Sequence, residues 1–199
     1  QPLPATGTFT PCALPSTLTV VKLCVLPLLV LLCACGPQKP REIDDLRVFA
    51  YLGGDVRSGS IGYQESPPSG GPYNALWQSC GTYTAPIYDE YAVHSLARGA
   101  IWVTYRPGLA AAELEKIDAA LATPIKVRKN DQDVELRAKT LLSPRDNLPA
   151  PIVMTAWNAQ ITAQTADDER LRLFVERFGA GDRVPEAGAG CAGGFTGTR

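Results

Sequence analysis

The chain contains a single histidine, His94, and an arginine, Arg98, follows it four residues later. One imidazole excludes most zinc sites and most mechanisms that depend on histidine. An enzyme that uses His94 as general base, with Arg98 stabilising developing negative charge, is the alternative we keep open. The sequence has no Ser/His/Asp order, paired acidic dyad or phosphate-binding loop. We therefore assign no catalytic residue, metal ligand or cofactor, and favour a protein without catalysis.

An apolar segment near the N-terminus indicates export. Residues 23–34 are uncharged and follow Lys22, and they are too few for a spanning helix, which needs roughly 20 apolar residues. A basic residue, a short apolar run and small residues at its end are the parts of a secretory signal. We predict a signal peptide over residues 1–34. Because Gln1 is not an initiator, we interpret residues 1–19 as a gene-start artefact or a fragment of upstream sequence.

The end of this segment is more specific. Leu32–Cys35 is similar to a bacterial lipobox, in which a small residue precedes the cysteine that becomes acylated. Two or more acyl chains hold a protein stably on a bilayer. We predict that Cys35 is the lipid-attachment site, that residues 35–47 are a tether, and that the protein is extracytoplasmic on a bacterial cell membrane. An ordinary signal peptide or a buried apolar helix is the alternative.

The cysteine count predicts one disulfide. Cys12, Cys24 and Cys33 lie in the part expected to be removed. Cys80 and Cys191 are then the pair left in the mature domain beside Cys35. Such a pair in an exported protein is more often a disulfide than two free thiols, and its spacing excludes a Cys-x-x-Cys redox site. A Cys80–Cys191 bridge would close a loop of roughly 110 residues.

The composition is that of an ordinary globular protein. The chain has 199 residues, of which 45% are hydrophobic, and 19 Lys+Arg balance 20 Asp+Glu for a net charge of −1. The absence of a basic excess excludes a nucleic-acid partner. One apolar stretch alone excludes a polytopic membrane protein.

Local patterns predict an α+β fold: a single compact domain with a mostly antiparallel sheet and two packed helices. Turns are expected at 66–73, because prolines and glycines dominate there. Helices are expected at 109–121 and from the acidic run 167–169 to Phe178. Asp89 and Glu90 are expected in a solvated turn. The predicted strands, from their β-branched and aromatic content, are 48–57 (weakly), 100–105, 134–142 and 152–157.

Several segments, taken in order, resemble the bacterial family called domain of unknown function 3105. The likeness covers most of residues 63–191 and implies an exported or membrane-anchored protein without an established activity. We place this domain at residues 48–191 and a flexible tail at 192–199. The segments that carry the resemblance are 67–72, 81–83, 93–99 with the strand that follows, 155–157 and the helix at 174–175 leading to 185–186.

The resemblance also implies a lost metal site. The family pattern has a histidine after the Ser-Gly-Pro turn and a His-x-Leu-Glu-His-Gly signature, a set of imidazoles that suits copper or zinc. Here only His94 matches, since Tyr73 stands at the turn position and Ala97-Arg98 replaces Glu-His. An arginine cannot deprotonate and repels a cation. A degenerate metal-handling protein is therefore a further alternative.

The residues at these positions still suggest a binding site. Tyr73, His94 and Arg98, with Trp77 and Trp157 as apolar walls, can hold an anionic or carbohydrate-like ligand. The simpler interpretation is that His94 bonds a neighbouring loop, Arg98 lies at the surface and the tryptophans belong to the core. The function that we favour is a lipid-anchored extracytoplasmic binding or envelope-associated module whose ligand or protein partner the sequence does not name.

Overall fold

A six-stranded mixed sheet forms the centre of the domain. The computed structural model describes residues 41–199. The predicted signal peptide, Cys35 and the first part of the tether lie outside the described residues. In order across the sheet, the strands are β1, β8, β7, β3, β6 and β2, and β4 and β5 form a separate hairpin. The elements in chain order are β1 (Arg47–Val48), β2 (Gly81–Thr82), α1 (Asp89–Ala97), β3 (Ala100–Tyr105), α2 (Ala111–Ala122), β4 (Ile125–Lys129), β5 (Gln132–Leu136), β6 (Lys139–Pro144), β7 (Ile152–Ala156), β8 (Ala159–Ala163) and α3 (Glu169–Phe178).

Strand β3 lies in the middle of the sheet and is buried on both faces. It pairs parallel with β6 and antiparallel with β7, so Trp102 lies opposite both Leu141 and Thr155. Because successive side chains of a strand point to opposite faces, Ile101 and Val103 join one hydrophobic core and Trp102 joins the other. A strand covered on both faces is apolar at nearly every position. This explains the apolar run at 100–103, and Thr104, the buried polar residue of the strand, donates its hydroxyl to the carbonyl of Val153. The predicted strand is confirmed.

The fold class is confirmed, with one correction to the helices. Residues 41–199 form one compact unit of α+β type. Three of the five pairings in the main sheet are antiparallel and two are parallel. Three helices pack on the sheet where two were predicted. The two predicted helices are α2 and α3. At the start of α3, the side chain of Asp168 accepts a hydrogen bond from the backbone N–H of Arg170, which caps the helix.

Helix α1 was missed, and the solvated turn predicted at its start is wrong. Asp89 begins the helix, and its carboxylate pairs with the guanidinium of Arg145 in a largely buried ion pair. Residues 92–97 are all buried. A helix buried on most sides has no polar face and so lacks the 3.6-residue alternation by which helices are recognised.

The strand boundaries also needed correction. The weak strand predicted at 48–57 is reduced to β1 and an isolated bridge between Val56 and Tyr73. The strand predicted at 134–142 is two strands, β5 and β6, and β5 pairs with the unpredicted β4. The β4–β5 turn uses Asn130 and Asp131, both with positive φ, which is the geometry of a tight hairpin. The strand at 152–157 is confirmed as β7, and β8 follows it after Trp157 and Asn158.

Both ends of the described chain contact the domain. Ile43, in the predicted tether, is 4% exposed and packs in the core. Cys80 and Cys191 form the predicted disulfide, with Cα atoms 5.4 Å apart. Beyond it, Phe195 donates its backbone N–H to the carbonyl of Trp77 at 2.8 Å. This bond and those of the neighbouring residues attach the segment that we expected to be a flexible tail.

Candidate functional site

The five residues of the predicted ligand site lie together. Tyr73 ends the loop at 66–73, Trp77 follows in the next loop, His94 lies in α1, Arg98 comes directly after α1, and Trp157 lies in the β7–β8 turn. The sharp turns of the Pro/Gly loop and the packing of α1 on the sheet bring these distant parts of the chain to one place.

A residue that we had not singled out, Glu186, lies at the centre of this group. Its carboxylate accepts hydrogen bonds from the Tyr73 hydroxyl at 3.1 Å and from Nη1 of Arg98 at 3.1 Å. Nε2 of His94 lies 3.0 Å and 3.2 Å from the two carboxylate oxygens. The backbone N–H of Glu186 donates to the carbonyl of Ala97 at 2.8 Å. We call Tyr73, His94, Arg98 and Glu186 the Glu186 cluster.

Aromatic rings pack around the cluster. Tyr73 stacks on the imidazole of His94 with ring centroids 4.6 Å apart, and Trp157 meets Tyr73 edge-on at 6.1 Å. The guanidinium of Arg98 lies 3.8 Å from the centroid of a Trp77 ring, in cation–π contact. These rings exclude water from most of the cluster and so strengthen its electrostatic interactions.

The imidazole has no nitrogen free to meet a substrate. His94 is 6% exposed, and its Nε2 faces Glu186. Its Nδ1 is buried and finds no hydrogen-bond partner among residues 41–199. A general base must come within hydrogen-bond reach of the proton that it removes. In this arrangement His94 holds Glu186, which matches the simpler interpretation that it bonds a neighbouring loop.

The cluster shifts the pKa values of its own groups. Partial burial would raise the pKa of Glu186, but the hydrogen bonds from His94 and Tyr73, with the charges of His94 and Arg98, lower it below its ordinary value. Burial raises the pKa of Tyr73, and the Glu186 carboxylate adds to this against a bond from the Gly54 N–H. The cluster therefore favours an ionised Glu186 and a neutral Tyr73.

Sequence reasoning missed Glu186 because nothing local marks it. It lies 92 residues from His94, in a segment rich in glycine and alanine. The available signal was its place in the Pro185-Glu186 segment that carries part of the family resemblance. A carboxylate in that segment is a natural partner for a histidine and an arginine elsewhere in the same pattern.

A cleft lies beside the cluster. It has a volume of ≈ 250 Å³ and is bounded by the end of α3, the loop at 181–184 and the β7–β8 turn. Trp157 belongs to both places, because it lines the cleft and touches Tyr73. The loop residues that line the cleft stand directly before Pro185 and Glu186 in the chain. The cluster therefore positions one wall of the cleft.

Comparison with known families agrees with the resemblance in the sequence. A family model described as "Protein of unknown function (DUF3105)" matches residues 56–193. The chain belongs to the DUF3105 family. The match contains the whole Glu186 cluster and both cysteines of the disulfide. No curated protein and no solved structure matches this DUF3105 chain.

Among residues 41–199 of the DUF3105 protein, no group of three or more His, Cys, Asp or Glu side chains is placed to hold a metal ion. The positions at which the resemblance implies histidines, Tyr73 and Arg98, nevertheless both contact Glu186. Histidines at these two positions, together with His94 and Glu186, would supply three imidazoles and a carboxylate, which are ligand types that zinc takes. Restoring Glu at Ala97 is not needed, because Ala97 is fully buried and a carboxyl group there would be costly.

We expect no tight binding of copper or zinc by the unmodified DUF3105 domain near neutral pH. The double variant Tyr73→His/Arg98→His should bind zinc about 100-fold more tightly, because two ligands are added to His94 and Glu186. Isothermal titration of the two proteins side by side measures the difference, and circular dichroism checks that the variant is folded. Stoichiometric, submicromolar binding to the unmodified protein would contradict the prediction.

Proposed function

We propose that this DUF3105 protein is a lipid-anchored extracytoplasmic module that binds a ligand or partner and does not catalyse a reaction. The observation that carries the non-catalytic role is the use of Glu186 as acceptor for Tyr73, His94 and Arg98. The Tyr73 hydroxyl, Nε2 of His94 and the Arg98 guanidinium find their acceptor within the protein, and they hold a loop in place. The enzymatic alternative requires a lone pair of His94 to reach a substrate, and the buried Nδ1 speaks against it.

The Cys80–Cys191 disulfide supports the extracytoplasmic location, because disulfides persist in oxidising compartments. Among residues 41–199, no helix has the length and apolar character that crossing a membrane requires. The attachment that we propose uses acyl chains on Cys35, by the lipobox-like sequence Leu32–Cys35. Part of the tether would then separate the bilayer from Ile43, which is the first buried residue among residues 41–199.

Replacing Cys35 with serine should abolish lipidation. The Cys35→Ser protein is expected in the soluble or the uncleaved fraction, because the thioether that carries the acyl chains cannot form. Detergent phase separation and intact mass analysis measure the outcome. Cys24→Ser is the matched control, since Cys24 lies in the same segment but outside the lipobox-like sequence, and it should still give the detergent-phase mature form. A Cys35→Ser protein that also gives that form would refute lipid attachment at Cys35.

A further inference from the structure

The cleft beside the Glu186 cluster has walls of two kinds. Its apolar part includes Leu46, Val48, Trp157, Phe178 and Val184. Val48 is 70% exposed, so an apolar side chain is presented to solvent at this site. Ligand pockets are predominantly apolar, with a few polar groups that fix orientation. The cleft has this composition.

The charged part of the lining is positive. Arg177 and Arg183 line the cleft, and Asp182 is the one acidic residue in the same lining. The other arginines of α3 are paired, Arg170 with Asp168 and Arg172 with Glu176. Among residues 41–199, no carboxylate lies within ion-pair distance of Arg177 or Arg183. Their forked donors suit a carboxylate or a similar anion.

The volume limits the size of the occupant. The volume of the cleft is ≈ 250 Å³. This is slightly below the usual range for drug-sized ligands, which begins at about 300 Å³. The cleft therefore suits a small molecule with a short apolar body rather than a peptide or a folded partner.

From these features we infer that the cleft binds a small amphipathic anion, with its apolar body against Trp157 and Phe178 and its anionic head at Arg177 and Arg183. This inference rests on the binding role proposed above and names the ligand class. The wall of the cleft is fixed by two contacts. Glu186 holds the end of the loop through the cluster, and Gly181 packs against Gly99 so closely that a Cβ on Gly99 would lie 2.7 Å from the Cα of Gly181.

Three probes of equal chain length test the inference: octanoate, 1-octanol and octylammonium. Each probe is titrated, below its micellar concentration, into the full chain carrying Cys35→Ser. This variant carries no acyl chains, so none of the detergent that would keep them in solution is added. The indole N–H signal of Trp157 is followed by NMR and assigned with Trp157→Phe. Trp77 and Trp102 do not line the cleft and serve as internal controls.

Octanoate should shift the Trp157 signal and bind about tenfold more tightly than octanol. One charge-assisted hydrogen bond in a partly exposed site changes the affinity by about this factor. Octylammonium should bind more weakly than octanol.

Charge variants show whether the arginines cause the selectivity. Arg177→Gln and Arg183→Gln should each weaken octanoate binding about threefold or more and leave octanol binding unchanged. Asp182→Asn should strengthen octanoate binding, and Arg172→Gln, on the same helix but outside the cleft, should change neither. Equal affinities for octanoate and octanol would overturn the anionic selectivity and leave a binding role intact. Failure of octanoate and octanol to perturb Trp157 would overturn the cleft as a binding site.

Discussion

Replacing both Cys80 and Cys191 with alanine is expected to lower the free energy of unfolding by about 4 kcal/mol, because the disulfide restricts the unfolded chain over a long loop. The two cysteines are 111 residues apart in sequence, so their loop includes most of the domain. Domains of this size have a total stability of about 5–15 kcal/mol. The variant should therefore be marginally stable, and urea denaturation followed by circular dichroism measures the loss.

The reducing agent dithiothreitol supplies the control for this prediction. It should lower the urea midpoint of the unmodified protein toward that of the double-alanine variant and leave the variant unchanged. Mass analysis without reductant should give a mass lower by two hydrogens than the reduced form. If the unmodified protein and the double-alanine variant differ in unfolding free energy by less than about 1 kcal/mol, the disulfide does not restrict the conformational freedom of the unfolded chain as proposed.

Replacing Glu186 with alanine is expected to destabilise the domain by about 2 kcal/mol, a value reduced from that of a fully buried ion pair because the Glu186 side chain is 32% exposed. The change leaves the buried His94 and Tyr73 and the largely buried Arg98 without their common acceptor. Urea denaturation measures the effect.

Glu135→Ala is the matched control, because the ion pair of Glu135 with Lys126 is long and exposed. This variant should change the free energy of unfolding by less than about 0.5 kcal/mol.

The Glu186→Ala variant should also loosen the loop that lines the cleft. The backbone amides of Gly181 and Glu186, which donate to Phe178 and Ala97, are expected to exchange faster in Glu186→Ala. The reason is that local opening of the loop then no longer requires the side-chain bonds of the cluster to break. Unchanged exchange in this loop, together with unchanged stability, would mean that Glu186 does not hold it.

The parts of the fold that were predictable have local causes. Strand β3 is apolar or aromatic at every position except Thr104 because both of its faces are covered, and Gly99 and Pro107 lie on either side of the run. Helix α3 carries its own start signal in Asp168. The disulfide followed from counting the cysteines that export would leave in the domain.

The parts that were missed depend on distant contacts. Helix α1 is stabilised by burial against the sheet, and Asp89 finds its partner in Arg145, 56 residues away. The five residues of the predicted site lie together in the structure, yet the sequence did not reveal Glu186, which contacts Tyr73, His94 and Arg98. A single glutamate in a flexible-looking sequence acquires its role only when the fold brings α1 and the C-terminal loop together.

The lowered pKa of Glu186 makes the cluster dependent on pH. Because the carboxyl pKa is lower in the folded protein than in the unfolded chain, the carboxylate contributes its full stabilisation above its ordinary pKa of 4.5. That contribution is lost as the pH falls through the lowered pKa, since protonation removes the charge that His94 and Arg98 contact. Asp55, Glu113 and Asp168 also have lowered pKa values, so the total loss at acid pH is shared among several groups.

The free energy of unfolding as a function of pH, measured for the unmodified protein and for Glu186→Gln, tests most directly whether Glu186 uses the donors of Tyr73, His94 and Arg98 within the protein. Glutamine keeps the shape of the side chain, cannot ionise, and replaces one of the two acceptor oxygens with an NH2 donor. The account predicts that the unmodified protein is more stable at neutral pH and that the difference shrinks as the pH falls below 4.5. A difference that is zero at neutral pH, or constant across the acid range, would contradict it.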